Sequence, residues 1–225
     1  MIIRVARHGQ PTLKDLPPGA NHEFPPKDYE LSILGVEQAH CLGRYLRDEG
    51  FHGRIISSPL LRTVETADAV AEECGLRFYL EPRLQEMRFY TAPYEGQPFE
   101  VLRKEFPRIA DDATLPWPWM VDNPDEQIEQ VRVRVNEFVD ELLATQPADD
   151  VLLVGHGASI QSLKWNFFER CGYDGEGRHN WNCSLSKFEI EPDGTCKVID
   201  VARYDFMPDE IVTSNARKLG DPVEA

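Results

Sequence analysis

Apolar positions along this chain follow two rhythms. Short unbroken apolar runs, rich in branched residues, mark buried strands at Met1–Ala6, Arg54–Ser57, Leu76–Leu80 and Val151–Val154. Between them, apolar residues recur at helical spacing. Val36, Ala39, Leu42 and Leu46 line one face of a helix from about Leu34 to Asp48, with Ser32 as its cap and Gly50 at its end. Ser58-Pro59 opens a second helix, about Leu60 to Cys74. A long helix runs from about Glu126 to Thr145, with Ile128, Val131, Val135, Phe138 and Leu142 on one face, and another from about Ala158 to Cys171. Two further strands, Leu185–Ile190 and Lys197–Ala202, flank Pro192-Asp193-Gly194 and read as a hairpin.

The rhythm weakens in two places. Gln10–Glu30 is a loop with prolines at 11, 17, 18, 25 and 26. From 81 to 125 aromatics and prolines crowd together, and only Phe99–Phe106 reads as a short helix. Strands alternating with helices imply a mostly parallel sheet covered on both faces. At 225 residues without an internal repeat, one domain over 1–213 is expected, with a lid-like region at about 81–125 and a polar tail at 214–225.

Net charge is −15, which disfavours nucleic acid and anionic membrane as partners. An anionic substrate stays compatible, because salt screens a distant acidic surface over about 10 Å. No apolar run is long enough to span a membrane, and the first residues lack the pattern of a secretory signal. Cys41, Cys74, Cys171, Cys183 and Cys196 are odd in number and form no CxxC pair. They read as reduced thiols of a cytoplasmic protein, and neither a disulfide framework nor a zinc site is expected.

The chemistry gathers where strands end. Arg7-His8-Gly9 follows the first strand, and Gly155-His156-Gly157 follows Val151–Val154. In open α/β sheets that carboxyl edge binds ligands. Ser58-Pro59-Leu60-Leu61-Arg62 follows a third strand. If these strands are neighbours, two imidazoles and two guanidinium groups converge with helix N-termini, a setting for a phosphoryl group. A neutral histidine held by a carbonyl at one nitrogen can attack through the other. The second histidine would serve as a cation beside the developing charge. Glu86, in Leu84-Gln85-Glu86-Met87, is placed to act as general acid.

Taken in order, Arg7-His8-Gly9, Leu31-Ser32-Ile33-Leu34-Gly35-Val36-Glu37-Gln38-Ala39, Ser57-Ser58-Pro59-Leu60-Leu61-Arg62-Thr63-Val64-Glu65-Thr66-Ala67, Leu84-Gln85-Glu86 and Val154-Gly155-His156-Gly157 resemble the histidine phosphatase superfamily, which includes the cofactor-dependent phosphoglycerate mutases. The resemblance implies a three-layer α/β/α sandwich of the phosphoglycerate mutase-like kind, and a phosphohistidine mechanism without metal or cofactor. By motif position, His8 is the nucleophile. Arg7, Arg62 and His156 complete the phosphate pocket, with Gly9 and Gly157 beside them, and Glu86 is the acid. Asn182, in Asn182-Cys183-Ser184, resembles a position near the pocket, and Gln10 is a further candidate donor to phosphate. The chain reads Gln10-Pro11 where mutases continue with Glu-Ser, and its stretch from Glu86 to His156 is short for a mutase. The expected activity is therefore a phosphomonoesterase acting on a small phosphorylated substrate. A phosphoryl isomerase and a non-catalytic phospholigand-binding module are the alternatives. Substrate identity and oligomeric state, a homodimer included, stay open.

Other residues read more plainly. His40 and His52 are structural or surface residues, and His22 and His179 read the same way, with the cleft border as the alternative. Phe89, Tyr90, Tyr94, Trp117 and Trp119 read as packing.

Overall fold

The computed structural model describes residues 1–12, 28–87, 96–119, 126–145, 150–175, 180–191 and 193–213. The expected tail at 214–225, parts of the expected lid (88–95 and 120–125), and with them Phe89, Tyr90, Tyr94, His22, His179 and Pro192, lie outside the described residues.

The elements run β1 (Ile2–Arg7), α1 (Ile33–Asp48), β2 (Arg54–Ser57), α2 (Leu61–Cys74), β3 (Phe78–Leu80), a 3-10 turn (Pro82–Leu84), α3 (Phe99–Glu105), α4 (Ile128–Thr145), β4 (Val151–Gly155), α5 (Gly157–Cys171), β5 (Leu185–Ile190) and β6 (Cys196–Arg203). The strands form one six-stranded sheet in the order β3-β2-β4-β1-β5-β6. β3, β2, β4 and β1 are parallel, and β5 and β6 add the antiparallel hairpin.

Alternation along β4 divides the core. Leu152 and Val154 face the layer of α1 and α2, whereas Val151 and Leu153 face α4 and α5. All of these β4 residues are fully buried, as a central parallel strand covered on both faces requires. The expected three-layer α/β/α arrangement is present. Removing one such side chain, as in Leu153→Ala, costs roughly 2–5 kcal/mol.

Local chemistry explains the helix ends. Ser32 Oγ accepts the N–H of Gly35 and caps α1. α2 has no cap of its own, and Asp28 Oδ2 accepts the N–H of Leu61 instead. A Cβ on Gly9 would lie 2.4 Å from the Gly35 carbonyl oxygen, and one on Gly35 would lie 2.1 Å from that of Gln10. Only glycine at both positions lets α1 press against the loop that follows β1. Trp119 is buried and donates to the Gln97 carbonyl, in keeping with packing. Among the described residues no helix is long and apolar enough to cross a membrane.

The cysteine reading needs correction. Cys171 and Cys196 form a disulfide, and only Cys41, Cys74 and Cys183 are free thiols. The separation of 25 positions along the chain conceals that the end of α5 returns over the start of β6, bringing the Cα atoms to 4.5 Å. The cysteine pattern therefore no longer speaks for a reducing compartment.

Candidate active site

Adjacent parallel strands place the two histidines. Arg7 pairs in register with Gly155, and His8 N donates to the Gly155 carbonyl at 3.0 Å. β4 also neighbours β2, where Ser58 N donates to the Val154 carbonyl at 3.0 Å. The ends of β1, β4 and β2 thus meet at one edge.

The His8 and His156 ring centroids are 5.2 Å apart, and both side chains are buried. His8 Nδ1 lies 2.6 Å from the Gly9 carbonyl oxygen. A carbonyl can only accept, so Nδ1 carries the proton and Nε2 keeps the lone pair. Burial first, and then the charges of Arg62 and Arg7, hold the His8 pKa well below 6.5. His156 is held well below 6.5 as well, by burial and then by Arg62. The pocket's positive charge therefore rests on Arg7 and Arg62, and not on a cationic second histidine, the state expected from sequence.

Arg7 is buried, and its Nη1 donates to the Asn180 carbonyl at 2.7 Å. Burial also lowers its pKa, against the opposing charge of Glu86. Arg62, in the first turn of α2, is buried with the Asp28 carboxylate 3.9 Å away.

Glu86 sits at the N-terminus of α5. Its Oε2 accepts the N–H of Gly157 at 3.0 Å, and its Oε1 accepts those of Ala158 and Met87 at 2.9 Å. The N–H groups expected to meet an anion at the starts of α2 and α5 are thus taken by the side chains of Asp28 and Glu86. The helix dipoles still point into the site.

The remaining candidates brace the pocket. Gly9 N donates to Thr66 Oγ1, which in turn donates to the Arg62 carbonyl, tying the β1 loop to α2. Gln10 Oε1 accepts from Ser32 Oγ at 3.0 Å, linking that loop to the cap of α1. Asn182 Nδ2 donates to the His8 carbonyl at 3.0 Å, and its Oδ1 accepts from Thr213 Oγ1. Asn182 therefore braces the backbone of His8.

Several participants escaped the sequence reading. Ser58 was read as a helix start, yet its Oγ lies 2.9 Å from His156 Nε2 and orients that ring. Lys164 lies on the apolar stripe of α5 with Ile160, Leu163 and Phe167, and its Nζ donates to Asn180 Oδ1 behind Arg7. Burial lowers its pKa to about 8. A lysine within an apolar helical stripe was the available signal. For Asp28, whose contacts come from the base of a proline-rich loop, no local signal exists. Among the described residues no group of three or more His, Cys, Asp or Glu side chains gathers as a metal site.

The sequence model of the histidine phosphatase superfamily, branch 1, matches residues 3–201. The chain belongs to this superfamily. The probable phosphoglycerate mutase GpmB of Yersinia pestis is 28% identical over 171 residues, covering 73% of this chain and 75% of the relative. The ecdysone phosphate phosphatase of Bombix mori, solved with tungstate, superposes with a TM-score of 0.64 at 19% identity over 96% of this chain and 97% of that one. A mycobacterial glucosyl-3-phosphoglycerate phosphatase, solved with VO3, gives a TM-score of 0.60 at 24% identity over 90% of this chain and 99% of that one. At these identities the solved structures speak for the fold alone.

Proposed function

We propose that this histidine phosphatase is a metal-independent phosphomonoesterase working through phosphohistidine. The observation that carries the reading is the bond from His8 Nδ1 to the Gly9 carbonyl, which leaves Nε2 as a lone-pair nucleophile between two arginines. His8 Nε2 attacks phosphorus as the bond from phosphorus to the ester oxygen breaks. The leaving oxygen takes a proton from Glu86. The Glu86 carboxylate then takes a proton from water, whose oxygen attacks phosphorus and frees His8 and inorganic phosphate. Arg7 and Arg62 stabilise the transferring group throughout by fixed charge.

The test is phosphate release from p-nitrophenyl phosphate. Wild-type protein is expected to turn over unaffected by EDTA, and His8→Ala to be inactive. Activity that disappears with the chelator, or survives His8→Ala, would overturn the reading. Vanadate or phosphate binding without hydrolysis of any phosphoester would favour a binding module instead.

A mutase is the second reading, favoured by the 28% identity to a probable phosphoglycerate mutase. Against it stand Gln10-Pro11 after the first motif and the short stretch before His156. Conversion of 3-phosphoglycerate primed by 2,3-bisphosphoglycerate, faster than phosphate release, would decide for the mutase.

A further inference from the structure

The turn that presents Glu86 is held from outside. Arg134, on α4, directs Nη1 to the Arg83 carbonyl and Nη2 to the Glu86 carbonyl, the latter at 3.3 Å. The same guanidinium binds the Glu126 carboxylate through Nε at 2.8 Å and Nη2 at 3.1 Å. Both side chains are largely buried, 14% and 7% exposed. Only a planar fork with several donors can span two carbonyls and a carboxylate at once. α4 grips the turn a second time, because Arg83 pairs with Glu141 at 2.8 Å and stacks over the Phe138 ring at 5.3 Å. The acid's side chain, meanwhile, is fixed on α5. Backbone and carboxyl of Glu86 are therefore held by different helices, α4 through Arg134 and α5 through its first N–H groups.

We infer that Arg134 is the positioning residue of the general acid, aligning Glu86 with the leaving oxygen without touching substrate. The inference rests on the phosphatase reading above. It predicts a dependence on the leaving group. p-Nitrophenolate departs as a stable anion and has little need of a proton, whereas an alkoxide needs one. The ratio kcat/KM covers only the steps through phosphoenzyme formation, so it isolates this proton transfer from the later attack of water.

Arg134→Met is expected to lower kcat/KM for glycerol phosphate about 30- to 100-fold, up to the lower end of a general acid's contribution of roughly 10²- to 10⁴-fold, and for p-nitrophenyl phosphate by less than about threefold. On glycerol phosphate, adding Arg134→Met to Glu86→Gln is expected to cost almost nothing more. Arg134→Lys keeps the charge but offers one nitrogen, so it should show the same selectivity, and it serves as the probe if the methionine variant does not fold. Equal losses on both esters, or additive losses in the double variant, would overturn the positioning role. A wild-type protein that hydrolyses neither ester overturns the phosphatase reading itself, and this inference with it.

Discussion

The imidazole rings of His8 and His156 face each other at 5.2 Å between centroids, their planes tilted by 55°. They come from strands joined in parallel register, so this spacing is set by the hydrogen bonds between β1 and β4. Ser58, from the next strand, then fixes how the second ring is turned.

Ser58→Ala is expected to lower kcat on p-nitrophenyl phosphate about three- to tenfold, the worth of one neutral hydrogen bond. The melting temperature should change little by comparison. An unchanged kcat would show that packing alone holds His156.

Both histidines have pKa values well below 6.5, through burial and then Arg62. The unfolded chain takes up protons that the folded pocket refuses, so this part of the stability is lost as pH falls below 6.5. For the same reason the acid limb of kcat/KM, which reports the free enzyme, should lie below 6.5. A profile on p-nitrophenyl phosphate from about pH 4 to about pH 8 checks this. A limb centred above 6.5 would contradict the buried, arginine-flanked nucleophile.

Glu65 behaves in the opposite sense. Burial, with Glu30, Asp28 and Glu105 nearby, raises its pKa to about 7 although it accepts the N–H of Leu31. The folded state holds its proton more tightly than the unfolded chain, so stability is lost as pH rises through about 7. Glu65→Gln keeps an acceptor for Leu31 and removes the titration. The drop in melting temperature from about pH 5.5 to about pH 8 should be smaller in this variant than in wild type. Equal drops would place the proton elsewhere.

Thiol titration in denaturant without reductant should find three free cysteines, Cys41, Cys74 and Cys183, and all five after reduction. Five reactive thiols before reduction would rule out the Cys171–Cys196 link.

Much of the site was legible because strand ends can be read from apolar runs. Once β1, β2 and β4 are parallel neighbours, the residues just beyond them, His8, Ser58 and His156, must share an edge. The motif order therefore singled out His8, Arg7, Arg62 and Glu86, the residues to which the proposed mechanism gives its roles. Helix ends were read to within about two residues for the same reason, since caps and periodicity are local.

What only the tertiary structure decided involves partners far apart in the chain. Asp28 caps a helix that starts at Leu61, and Arg134 reaches back to the carbonyls of Arg83 and Glu86. Asn182 braces His8, and Cys171 meets Cys196. Each contact depends on how layers pack across the sheet, and no spacing along the chain encodes that. The protonation of the paired histidines belongs here too, because burial sets it before any neighbouring charge does.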